Sequence, residues 1–109
     1  MRDRGLEELI YDELSSEPGI TEKGMFGGWA WLLDGKLLCC ARDDGMLVRL
    51  GKGNDEWALQ THGIVPMISG TRRMHGWVRA DPEGYGDDKL RRKLITCALA
   101  FVGSLPVKF

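Results

Sequence analysis

Long apolar runs are missing from this chain. The longest span about five to seven residues, against the ~20 that cross a bilayer as a helix, so no helical membrane span is expected. An excess of one charge is missing too. The formal net charge is −1, and no global field draws the chain toward nucleic acid or an acidic membrane; any such pull must come from a local patch. Histidine is scarce, at two residues, and cysteine amounts to three. Three cysteines cannot all pair within one chain, and no Cys-x-x-Cys or His-x-x-x-His spacing arranges metal ligands in advance. Cys39, Cys40 and Cys97 therefore read as reduced, half-buried thiols of a bacterial-type cytoplasm, with no metal and no cofactor. The opening residues, Met1-Arg2-Asp3-Arg4-Gly5, lead into a polar helix and lack the apolar core of a secretory signal. At 109 residues the chain reads as one domain, 1–109, large enough to bury a core without staples.

What is present is punctuation for a sheet. Trp29-Ala30-Trp31-Leu32-Leu33 and Lys36-Leu37-Leu38-Cys39-Cys40-Ala41 flank Asp34-Gly35. A two-residue Asp-Gly link between β-prone runs predicts a tight hairpin, whose central residues both need positive φ. The first strand is predicted over 25–33, with Gly27-Gly28 inside it as a bulge or close backbone approach. Strands follow over 36–42 and 46–50, with Asp43-Asp44-Gly45 as the turn between them. Further strands are predicted over 65–69 and from about 74 or 76 to 80.

Helices frame these strands. Over about 4–16, Leu6, Leu9, Ile10 and Leu14 share one face and the acids lie largely outside it. Glu17-Pro18-Gly19 stops this helix. A short helix is expected after Asn54, ending near Gly63. The segment 81–86 reads as a loop. Asp87 or Asp88 caps a last helix to about 103, with Leu90, Leu94, Cys97, Ala98, Phe101 and Val102 as its buried stripe. The order α-β-β-β-α-β-β-α with short hairpins implies a two-layer α+β domain built on a five-stranded antiparallel sheet.

Six pieces of the chain, in order and at compatible spacing, resemble one family. They are Met25-Phe26-Gly27-Gly28, Asp34-Gly35-Lys36, Leu47-Val48-Arg49-Leu50-Gly51, Pro66-Met67, Met74-His75-Gly76-Trp77-Val78, and the segment from Ala98 to Pro106. Together they cover nearly the whole chain, and the family is that of the N-terminal domain of the TfoX/Sxy competence regulators. The resemblance implies a cytoplasmic α+β domain grouped with secretion-chaperone-like folds, without established catalytic residues or cofactor. Competence regulators of this family carry a second, C-terminal domain, so the chain resembles the N-terminal module standing alone.

The candidate sites come from the strands and the basic clusters. Strand alternation puts Met46, Val48 and Leu50 on one face and Leu47 with Arg49 on the other; Trp77 and Arg79 likewise share a face. Phe26, Arg49, Trp77 and Arg79 are thus expected to form a cationic, aromatic partner-binding surface for an acidic peptide or a stacked base. Each arginine taken alone reads more readily as a stem lying over apolar surface with its head in water. Arg72, Arg73, Arg91 and Arg92 form a candidate basic patch. Cations beside the start of a helix oppose its dipole, which hints at an anionic partner. Asp81, Glu83, Asp87 and Asp88 lie just upstream and balance that charge.

Catalytic motifs are harder to find. No Gly-x-Ser-x-Gly elbow occurs, the acids form no recognisable pair, and His62 and His75 read as turn or surface residues. Gly27-Gly28 lacks the strand–loop–helix context of a phosphate cradle. The hairpin runs are apolar at almost every position, whereas a sheet covered on one side should alternate. Either a helix lies on each face or the second face meets another protein, and the expectation is a homodimer or partner contact through the open sheet face. The leading expectation is a non-enzymatic regulatory or protein-interaction module. A nucleic-acid-associated accessory domain is the second, and a small-ligand or enzymatic domain the third.

Overall fold

Asp3 starts the first helix by accepting the Leu6 N–H on its carboxylate at 3.0 Å, which satisfies one of the donors that a helix start leaves open. The computed structural model describes residues 3–25 and 27–106. Helix α1 (Arg4–Leu14) buries Leu6, Ile10 and Leu14 along one stripe. Four strands follow: β1 (Ile20–Met25), β2 (Gly28–Leu33), β3 (Lys36–Arg42) and β4 (Gly45–Arg49). Then come α2 (Glu56–Leu59), the hairpin of β5 (Ile64–Ser69) and β6 (Arg72–Ala80), α3 (Pro82–Tyr85) and α4 (Asp88–Gly103).

The sheet order is β1-β2-β3-β4-β6-β5, and every pairing is antiparallel. The α+β class stands, but the sheet has six strands rather than five. The order is α-β-β-β-β-α-β-β-α-α. The span 25–33 is not one strand with a bulge: the chain turns at Gly27, and β1 runs back along β2 with Met25 opposite Gly28. Strand β1 escaped the sequence reading because it is an edge whose middle residues, Thr21 to Gly24, are all exposed. A strand with no buried face carries no alternation. The segment 81–86 is likewise not all loop. Asp81 accepts the N–H groups of Glu83 and Gly84, and Pro82 starts a single helical turn.

The Asp34-Gly35 hairpin forms as expected, with φ of +50° and +80° at the two turn residues. Past it, the register slips: Trp31 pairs with Cys39 but Leu32 with Leu37. Leu38 is the extra residue of a β-bulge. Leu38 and Cys39 consequently both join the core beneath the helices. That explains two successive apolar residues without any need for an exposed face.

The helices all pack on one side. The main core joins Leu6, Ile10 and Leu14 of α1 and Leu94, Ile95, Ala98 and Val102 of α4 to Trp31, Cys39, Met46, Val48 and Val78 of the sheet. The opposite side holds a second, smaller cluster of Ala30, Cys40, Leu47 and Met67, to which no described helical residue contributes. Among the described residues, this face is largely covered from within the chain. Ala30 and Cys40 are fully buried and Leu47 nearly so, because the longer side chains of Met25, Leu37, Met74 and Trp77 pack over these small central residues. The exposed large hydrophobic residues among those described are Tyr11 and Ile68.

Arg91 is the other correction. It does not contribute to a basic surface patch, being buried at the start of α4. Its Nη1 donates to the Tyr85 carbonyl at 2.7 Å and its Nη2 to Asp88 at 2.9 Å. Its Nε lies 3.4 Å from Glu13 of α1. Tyr85 in turn donates its hydroxyl to Asp3 at 3.1 Å. One guanidinium thus ties α1, α3 and α4 together. Arg91 and, at 4.0 Å, Arg92 thus answer to carboxylates of their own chain.

Candidate functional site on the helix-free sheet face

Strand pairing brings most of the expected binding residues together. Arg49 of β4 stands directly opposite Trp77 of β6, and Leu47 opposite Arg79. Alternation starts all four side chains on the side away from the helices, and the Arg49 guanidinium then reaches toward the ring of Phe101 on α4. Phe26, the remaining member of the expected surface, lies outside the described residues. Two further cations join the face. Lys23 pairs in register with Ala30, which pairs with Cys40, and Arg42 lies two residues beyond Cys40 on β3. Lys23 had no signal in the sequence because β1 itself had none.

The arginines differ in how they are held. Arg42 makes a two-pronged contact with the Asp44 carboxylate, at 2.9 and 2.8 Å, so its charge is compensated. Arg79 donates to the Asp44 main-chain carbonyl at 2.8 Å. Arg49 donates to the Leu37 carbonyl at 3.4 Å and lies 5.8 Å from the centre of the Phe101 ring. Carbonyls and rings orient a guanidinium without cancelling its charge. Arg79 thus remains net positive and held in direction two residues along β6 from the half-buried Trp77, whereas the Arg49 guanidinium, on the strand residue paired with Trp77, is turned toward Phe101 of α4. A shallow hollow of about 200 Å³ lies beside Arg42, Arg79 and the β5 residues Pro66 to Ile68.

The remaining expected basic residues do not converge. Arg72 and Arg73 are exposed at the β5–β6 hairpin. Arg92 is exposed on α4, 4.0 Å from Glu13.

A roomier concavity, about 660 Å³, lies between α2 and the C-terminal half of α4, where Asn54, Glu56, Trp57, Cys97 and Phe101 line it. Its aromatic walls are engaged from within the chain. Lys93 sits 4.1 Å from the Trp57 ring centre, and Arg49 faces Phe101.

The thiols of the sheet are chemically quiet. Burial pushes the Cys39 thiol far above its ordinary value, and burial likewise pushes Cys40 up to about 11. Both are protonated at neutral pH, and the thiolate is the reactive form. His62 pairs with Glu83 at the surface, and His75 is exposed. Among the described residues no three His, Cys, Asp or Glu side chains gather closely enough to hold a metal ion, and no helix is long and apolar enough to cross a membrane.

Comparison with known proteins gives one match. No curated protein and no solved structure matches the chain. The family model for the TfoX N-terminal domain matches residues 12–102, a span that runs from α1 through all six strands to the last buried turn of α4. The chain belongs to the TfoX N-terminal domain family.

Proposed function

We propose that this chain is a non-enzymatic regulatory module that works by protein–protein contact, holding an acidic segment of a partner on its helix-free sheet face. Membership in a regulatory-type family rather than an enzyme family supports the class of function. One observation carries the choice of surface. Arg79 is held by the Asp44 carbonyl at 2.8 Å with its charge uncancelled, on the same strand face as the half-buried Trp77. Pre-orientation lowers the entropy lost when a carboxylate docks, and planar guanidinium groups suit two-pronged carboxylate contacts.

The test uses a blocked heptapeptide of alternating threonine and glutamate, titrated into the ¹⁵N-labelled full chain at low salt. Amide signals of residues 47–49 and 77–79 are expected to shift. Arg79→Glu combined with Lys23→Glu is expected to weaken binding at least ~10-fold, about 1.4 kcal/mol. An equal response to the same peptide with arginine in place of glutamate defeats the reading. Tighter binding of a short DNA duplex, falling steeply with salt, would hand the face to nucleic acid instead.

A further inference from the structure

The loop between β4 and α2 is clamped onto β6. The Leu50 and Gly51 N–H groups both donate to the Gly76 carbonyl, at 2.8 and 3.0 Å. Asn54 closes the loop on itself. Its main-chain N–H donates to the Gly51 carbonyl at 3.0 Å and its side-chain amide to the Leu50 carbonyl at 3.2 Å. The approach is so close that a Cβ on Gly76 would lie 2.7 Å from the Lys52 nitrogen. A hollow of about 470 Å³ lies between this loop, α2 and β6, a volume within the range of small-molecule sites.

Its lining carries both signs of charge. Lys52 comes from the loop, Asp55 and Glu56 from the start of α2, and Arg73 and His75 from β6. Met74, between the last two, packs on the helix-free face, so alternation sends Arg73 and His75 the other way. Among the described residues, no hydrogen bond or ion pair engages any of these five side chains. Lys52, Glu56, Arg73 and His75 are exposed to solvent. Asp55 is not. It is 7% exposed, and its carboxylate caps no N–H of the helix that follows. A buried carboxylate is normally paired or hydrogen-bonded, because its surroundings penalise an uncompensated charge. Asp55 therefore calls for a donor, which an ammonium group supplies.

A simple cation at Asp55 would also face Lys52 and Arg73. A ligand that carries a carboxylate beside its ammonium turns that repulsion into contact. We infer that this hollow binds a free α-amino acid, its ammonium on Asp55 with Glu56 nearby and its carboxylate on Arg73 and Lys52. The planar guanidinium of Arg73 suits a two-pronged carboxylate contact, and the His75 ring adds an N–H. The half-buried Leu59 lends an apolar wall, which favours an aliphatic side chain over a charged one. The clamp on Gly76 holds the loop in place before the ligand arrives, so little ordering is left for binding to impose. This site stands apart from the docking face and does not rest on that reading.

The probe is L-leucine, titrated into the ¹⁵N-labelled full chain. N-acetyl-L-leucine, which lacks the cation, and L-leucinamide, which lacks the anion, are the controls. Amide signals of residues 52–56 and 73–76 are expected to shift together and saturate, with a Kd of about 1 mM or tighter. Each control should bind at least ~10-fold more weakly, as should L-leucine to Asp55→Asn. That variant removes a buried charge without a partner and keeps the side-chain shape, so the fold stands. Arg73→Gln, at an exposed position, is a second variant with the same expected loss. No saturable shift by ~10 mM L-leucine, an equal response to either control, or unchanged affinity in Asp55→Asn or Arg73→Gln each overturn the proposal. None of these results touches the response of residues 47–49 and 77–79 to the glutamate peptide, so the two readings fall separately.

Discussion

Replacing Arg91 by leucine is expected to destabilise the chain by about 3–5 kcal/mol, the range seen when one partner of a buried ion pair is removed. The reason lies in what stays behind. The Glu13 side chain is 13% exposed and has Arg91 at 3.4 Å and Arg92 at 4.0 Å. Burial already raises the Glu13 carboxyl above its ordinary 4.5, with the Arg91 and Arg92 charges pulling it back. Without Arg91 the upward pull is opposed by Arg92 from the surface. The Tyr85 carbonyl also loses its donor, so the junction of α3 and α4 loosens. Glu13→Leu combined with Arg91→Leu removes both charges, and such exchanges are often neutral or better. That double variant should return to within about 1–2 kcal/mol of the parent in urea denaturation.

The pH dependence has a definite sign. A carboxyl whose folded value lies above its unfolded value binds its proton more tightly in the folded state. Its contribution is fully present below the unfolded value of about 4.5 and is lost as pH rises through the raised folded value. The deficit of Arg91→Leu should therefore shrink between pH 7 and pH 5. A deficit that is the same at both pH values would show that lost packing, not the stranded carboxylate, sets the effect.

Gly63→Ala carries the second large effect. Gly63 has φ of +88°, and a Cβ placed there would lie 2.6 Å from the Gly84 nitrogen and 2.8 Å from its Cα. Both obstacles are main chain, so no side-chain rotation relieves them. The clash falls where the loop before β5 meets α3, and where the Gly63 carbonyl accepts the Asp81 N–H at 2.9 Å. Left-handed backbone strain of ~1–2 kcal/mol adds to overpacking of ~1–3 kcal/mol, giving about 2–5 kcal/mol in all. Gly35→Ala is the control. Gly35 has φ of +80° but no atom within 4 Å of an added Cβ, so the backbone term of ~1–2 kcal/mol acts alone. Thermal unfolding should place Gly63→Ala at least about 5 °C below Gly35→Ala. Equal midpoints would mean that α3 yields without resistance.

The two glycines also mark the limit of what the sequence discloses. Asp34-Gly35 is legible because a turn is a local event, written in adjacent residues. Gly63 and Gly84 meet only after β5, β6 and α3 are in place, and nothing near either residue announces the contact. Arg91 is hidden in the same way. Its helix-start position suggests an external anion, while its actual partner, Glu13, sits on a helix at the other end of the chain. The face holding Arg49, Trp77 and Arg79 was readable because period-two alternation assigns sides within each strand. Their register across β4 and β6 was not readable, nor was Lys23. Strand β1 was invisible for the plainest reason: its middle residues are all exposed and carry no apolar pattern.

Sheet order has a consequence for how the domain assembles. Strands β1 to β4 each meet the next across a short connection, as do β5 and β6. These hairpins close with little loss of chain entropy. The β4–β6 seam alone joins strands separated by α2 and a whole strand, and contacts of that reach form slowly. Pulse-labelled hydrogen exchange should see amides 77–79 gain protection after those of 37–41. Arg49 and Trp77 face each other across that seam, so a nascent chain has its hairpins long before it has a docking face, and recognition waits on the final zip of the sheet.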